Sequence, residues 1–128
     1  MTFNPQEHGA KCEVCPLGPR SCFNDEDWRP VGPEIHEGAT VLAVGESPSH
    51  EDIHHQRPFM GRGASEWATA LAVICKSRPD IDLTNVIACK PPGQASGAWT
   101  RMTRKLDRLN KSRQSKGQQP HPHPMTCC

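Results

Sequence analysis

The apolar positions come in three clear stretches. Thr40-Val41-Leu42-Ala43-Val44-Gly45 is a continuous short run, a pattern found in strands covered on both faces, so a buried strand is expected there, stopping at Glu46-Ser47-Pro48-Ser49. Between Gly63 and Ile74, Trp67, Ala70, Leu71 and Ile74 follow the i, i+3, i+4, i+7 spacing of a helix with one apolar face, begun by Ser65 or the glycines before it. Ile81 to Ala88 is a second strand candidate, closed by Cys89-Lys90-Pro91-Pro92, because proline cannot donate to a ladder. Strand, loop, helix and strand in that order build a right-handed parallel unit, which makes the fold class α/β.

Outside these stretches the pattern weakens. Residues 1 to 38 show no sustained period and are rich in turn-forming segments such as Cys15-Pro16-Leu17-Gly18-Pro19, a looped, ligand-bearing lead-in. Arg101 to Asn110 is expected to be helical. Lys111 to Pro124 contains Ser, Gln, Gly, Pro and His beside its basic residues and no large apolar residue, so residues 93–124 are expected to form a basic, flexible insertion. No internal repeat is present.

Composition sharpens this. A chain of 128 residues allows one modest core, and 34% hydrophobic residues with 13 prolines and 10 glycines point to a loop-rich, incomplete single domain. No stretch approaches the roughly 20 apolar residues of a membrane helix, and no apolar leader opens the chain. A cytoplasmic protein without membrane contact is expected, monomeric in the simplest case.

The formal net charge is only +1, but Arg101, Arg104, Lys105, Arg108, Lys111, Arg113 and Lys116 fall in one stretch broken by Asp107 alone. Such a stretch neutralises phosphates without reading sequence, or is simply a solvated helix face. DNA contact is assigned to Arg101, Arg104, Lys105 and Arg108.

Seven cysteines in a chain of this kind argue for metal rather than disulfides. Cys12-Glu13-Val14-Cys15 is a CxxC pair whose thiolates converge on one metal. Cys89 follows a strand, and Cys127-Cys128 end the sequence. Four thiolates suit zinc or an iron–sulfur centre. The alternative is burial as small apolar groups, the reading adopted for Cys75 on the apolar side of its helix. Cys22 is a spare thiol.

Several motifs in fixed order carry a resemblance. They are Cys12-Glu13-Val14-Cys15-Pro16-Leu17, Val44-Gly45-Glu46-Ser47-Pro48, Glu51-Asp52, Arg57-Pro58-Phe59-Met60-Gly61, and Thr84-Asn85-Val86 with Cys89-Lys90-Pro91-Pro92. Across residues 12 to 92 the chain resembles the family 4, iron–sulfur, uracil-DNA glycosylases. The resemblance implies a three-layer α/β/α fold with a short parallel sheet, partial here. It also implies a 4Fe-4S cluster, with zinc as the alternative, held by Cys12, Cys15, Cys89 and Cys128, Cys127 being the substitute.

The implied activity is hydrolysis of the N-glycosidic bond of uracil in single- or double-stranded DNA, a base-excision repair reaction requiring the base to be flipped from the stack. Phe59 would stack on it, Asn85 would pair with its edge, Pro48 would shape the loop against it, and Glu46 and Ser47 would serve catalysis. Each also has an ordinary role: Phe59 as a core anchor, Asn85 as a loop tie, Glu46 as a helix cap. His50, His54 and His55 are expected to be solvated.

The sequence departs from the family pattern at Ser47 and Ser49, which replace small loop residues. It ends before a late His-Pro motif that His121-Pro122-His123-Pro124 only imitates. The chain is therefore expected to be a truncated, inactive member. Two other readings stand beside it: a non-catalytic iron–sulfur or zinc protein that binds nucleic acid, and a relative acting on another damaged base.

Overall fold

The computed structural model describes residues 3–19, 28–93 and 98–128. Two compact units are present, one made of Met1–Asn4 with Arg29–Lys90 and the other of Pro5–Trp28 with Pro91–Cys128. Cys22 lies outside the described residues.

The first unit is α/β. Strands β1 (Val41–Gly45) and β2 (Ile81–Asn85) pair in parallel, with Ala43 opposite Leu83 and Gly45 opposite Asn85. Period two then decides what each face carries. Ile81 and Leu83 are buried on the same face as Ala43, against Leu71, Trp67 and Phe59, while Asp82 and Thr84 lie on the other. Helix α1 spans His50–His55 and helix α2 spans Ala64–Val73.

The expected strands and helix are therefore present, with three corrections. Strand β1 is covered on one face only: Leu42 and Val44 are 55% and 54% exposed. Strand β2 ends at Asn85, although Val86 and Ile87 still donate to the carbonyls of Gly45 and Glu46 at 2.8 and 3.1 Å. Finally, α2 buries Leu71 but exposes Ala70 and Ile74, and Cys75, reached after the helix has ended, is exposed with φ of 54°. It is not a packed helical side chain.

A salt-bridge centre ties the lead-in to β2. Glu34 exchanges both backbone hydrogen bonds with Leu83, each 2.8 Å, and its carboxylate receives forked donation from Arg57 and from Arg78, with His36 at 3.1 Å. Burial alone would raise this carboxyl, but hydrogen bonds from Arg78 and then Arg57, with their charges, lower it from 4.5 to about 2. A depressed folded value adds stability that is fully present above the unfolded value near 4.5 and is lost as pH falls towards 2. Taken whole the shift would be worth about 3 kcal/mol, and solvent screening around the exposed Arg57 reduces the contribution to on the order of 1 to 2 kcal/mol at neutral pH. Thermal unfolding of the native chain and Glu34→Gln should thus differ clearly at pH 7 and converge near pH 2. A melting gap that stays constant across this range would refute the assignment.

In the second unit, α3 runs Ala98–Ser115 and buries Met102 and Leu106, extending beyond the Arg101–Asn110 helix expected from the sequence. The residues after it are tied back: Asn110 donates to the His121 carbonyl at 3.0 Å and accepts from its amide at 2.8 Å, and Arg113 donates to the Gln119 carbonyl at 2.6 Å. No helix among the described residues is long and apolar enough to cross a membrane.

Candidate functional site

At the carboxyl end of the parallel pair, the first unit opens into a cleft of about 370 Å3. Ligands bind at this end of open α/β sheets because the loops diverge there. Gly45, Glu46, Ser47 and Ser49 form one wall, Phe59 and the Gly61–Trp67 stretch the other, and Asn85 reaches it from the end of β2.

Asp52 fixes the two walls to each other. This carboxylate is 5% exposed; one oxygen accepts from the Met60 amide at 2.5 Å and the other from the Ser49 amide at 2.9 Å. In return its own amide donates to the Ser49 hydroxyl at 3.2 Å, a reciprocal capping box that starts α1. Ser49 is thus the helix cap, and the alternative role considered for Glu46 falls away.

Close approach explains the glycine at the end of β1. A Cβ at Gly45 would overlap the Asn85 amide oxygen and come within 3.2 Å of the Phe59 ring, so the base of the cleft exists only because no side chain is there. Phe59 is half-buried and lies 5.4 Å from Trp67, ring to ring. The Asn85 amide nitrogen is buried and has no hydrogen-bond partner, the sole side-chain nitrogen or oxygen of that kind among the described residues. A buried amide donor left unmatched costs free energy, so an orphan beside a cleft marks a place for a ligand acceptor.

Of the residues assigned from sequence, Glu46, Ser47, Phe59 and Asn85 are brought together. Glu46 is exposed at the cleft and Ser47 half-buried. Pro48 is buried but does not line the cleft, because the chain turns its ring inward before α1. Asp52 and Trp67 were missed as site residues. In the sequence Asp52 belongs to the acidic pair of the resemblance, which gives it no role, and Trp67 belongs to a helix face. His50, His54 and His55 are exposed, as expected.

The thiols divide between the units. Cys89 is buried in the first, just after β2. Cys12, Cys15 and Cys127 are buried in the second, where Cys128 is exposed. Burial, then the neighbouring Cys127 and Cys128, pushes the Cys15 thiol up to about 12 against one hydrogen bond from the Leu17 amide, at 3.4 Å to its sulfur. Cys12 is raised by burial, then by Cys128 and Cys127. Gly18 is required here, since a Cβ would overlap the Cys12 carbonyl. Among the described residues, no three His, Cys, Asp or Glu side chains form a group suited to a single metal ion.

Arg101, Arg104, Lys105 and Arg108 are exposed on α3. Their spacing places them on one stripe, away from the buried Met102 and Leu106.

Three type-4 uracil-DNA glycosylases are similar to this chain. The protein from Archaeoglobus fulgidus is 35% identical over 57 residues, covering 44% of this chain and 29% of its own length. That from Pyrobaculum aerophilum is 36% identical over 83 residues, 63% of this chain and 38% of the relative. The Thermotoga maritima protein is 30% identical over 86 residues, 67% of this chain and 42% of the relative. The chain therefore spans less than half the length of these curated relatives. No protein-family model matches it.

Proposed function

We propose that this chain is the base-recognition part of an iron–sulfur uracil-DNA glycosylase, a repair hydrolase that cleaves the N-glycosidic bond of uracil in DNA inside the cell. The observation that carries the reading is the orphaned Asn85 donor beside a cleft walled by Phe59. Uracil presents a carbonyl acceptor next to a ring N–H donor, and one carboxamide complements both; cytosine presents an amino group and a bare ring nitrogen, the reverse pattern. Phe59 supplies a face on which a flipped base stacks. Glu46, exposed at the cleft, is available to orient water at the sugar, and the Ser47 segment faces the departing base. The similarity to three proteins of that name adds support over the part of the chain they share.

The donor set of the second unit fits a thiolate-bound group. It holds buried sulfurs, one of which already accepts an amide hydrogen bond of the kind that supports cluster sulfurs. A single zinc needs its sulfurs about 2.3 Å from one point. A 4Fe-4S cluster has volume of its own, and we assign it in preference to zinc. Cys12 and Cys15 would hold it with Cys127, whose burial favours it over Cys128. When bound, the group closes loops into a fixed shape. The stripe on α3 would track DNA phosphates.

The test is a binding assay on the intact chain with short single-stranded oligonucleotides that differ only in one central deoxyuridine, deoxycytidine or thymidine. Tighter binding to the deoxyuridine strand is expected, with overall affinity falling steeply with salt. Equal binding of all three strands, with the same salt response, would reduce the chain to a non-specific nucleic-acid binder.

A further inference from the structure

Phe59 adopts φ of 58°, the left-handed region that side chains other than glycine seldom occupy. Such a residue keeps that conformation only when its surroundings hold it there. Hydrogen bonds from Arg78 to the Pro58 and Phe59 carbonyls do so.

Arg78 opens a 3-10 turn, Arg78–Asp80, that leads directly into β2. The turn is set by Asp80, which accepts from the Ser77 amide at 2.7 Å and the Ser77 hydroxyl at 2.8 Å. From there the Arg78 guanidinium donates in two directions. Its Nε and Nη2 grip Glu34 at 2.8 and 2.7 Å. Its Nη2 also donates to the Pro58 carbonyl at 2.5 Å, and its Nη1 to the Phe59 carbonyl at 3.3 Å. Glu34 in turn is bonded in both directions to the backbone of Leu83, which is completely buried. The cleft's aromatic wall is thereby referred to the centre of the sheet.

We propose that Arg78 is a positioning residue for base recognition: it fixes the backbone of Phe59, and so the ring that faces Gly45 and Asn85. The inference rests on the cleft being the base site. The demand is specific to arginine. A rigid planar fork serves a carboxylate and two carbonyls at once, whereas a lysine ammonium keeps the ion pair but cannot span all three. Arg57 provides an internal contrast, since it grips the same carboxylate at 3.0 and 2.9 Å while its side chain is 50% exposed.

The experiment uses the intact chain labelled with 4-fluorophenylalanine, the Phe59 fluorine resonance being assigned by its loss in Phe59→Leu. In Arg78→Lys, which keeps the charge on Glu34, the Phe59 line should shift and sharpen towards that of a solvated ring while the Phe3 line stays in place. Arg57→Met should leave the Phe59 line where it is. Affinity for the deoxyuridine oligonucleotide should fall about tenfold in Arg78→Lys, in the range that one base–aromatic stack supplies. An unmoved Phe59 line in folded Arg78→Lys, or an equal movement in Arg57→Met, overturns the positioning role. A moved line with deoxyuridine preference absent even from the native chain upholds that role and instead sinks the cleft as the base site. Arg78→Lys is used rather than Arg78→Met because a retained charge beside Glu34 keeps the ion pair and favours a folded variant.

Discussion

Asn85→Asp should lose its preference for deoxyuridine by on the order of 100-fold, because the change inverts the one group that matches the base. The carboxamide donates through a nitrogen that has no partner, and the carboxylate can only accept. A uracil carbonyl would then face an oxygen, and a buried charge would stand without a donor, each costing a few kcal/mol at most and together about the factor named. The fold should survive, since the amide nitrogen contributes no bond to it. Dissociation constants for strands with one deoxyuridine or one deoxycytidine, measured on both proteins with circular dichroism as a check on folding, give the answer. An unchanged ratio would remove Asn85 from recognition.

Removal of buried thiols is the second large effect. Protein prepared without oxygen should be brown, and Cys12→Ala, Cys15→Ala and Cys127→Ala should each lose most of the bound iron and visible absorbance. Cys75→Ala should keep both, because Cys75 is exposed. Cys127→Ala should lose more than Cys128→Ala, since Cys127 is buried and shares a hydrogen bond with Cys15. The raised thiols hold their protons at neutral pH, so loading displaces protons and apparent affinity should rise with pH. Colourless protein with one equivalent of zinc would sink the cluster assignment, and equal iron loss in Cys75→Ala would sink the ligand set.

How much of this could be read along the chain depends on the range of the interaction responsible. Strand β2 was legible because Ile81 and Leu83 alternate with Asp82 and Thr84, a local pattern. The parallel pairing followed from chain order. The loop residues Gly45, Glu46 and Asn85 were legible through motifs, and the structure brings them to one cleft. What escaped was set by contacts distant in sequence or by backbone geometry. Glu34 and Arg78 are 44 residues apart, and neither belongs to an apolar pattern. Asp52 acts through two backbone amides that no spacing reveals. The left-handed Phe59 has no marker in its residue type. The end of α3 was misjudged because Lys111 to Ser115 contains no large apolar residue, yet hydrogen bonds beyond the helix, not burial, hold that turn.

Strand β1 leaves one more consequence. Val41, Leu42, Ala43 and Val44 carry no charge, Leu42 and Val44 face outward, and among the described residues β1 pairs on one edge only, with β2. A bare edge of high β propensity with no lysine, proline or bulge to blunt it accepts another strand readily. Concentration, more than heating, should therefore limit how long the preparation stays monodisperse, and a charged residue in place of Leu42 is the substitution to choose when concentrated samples are needed.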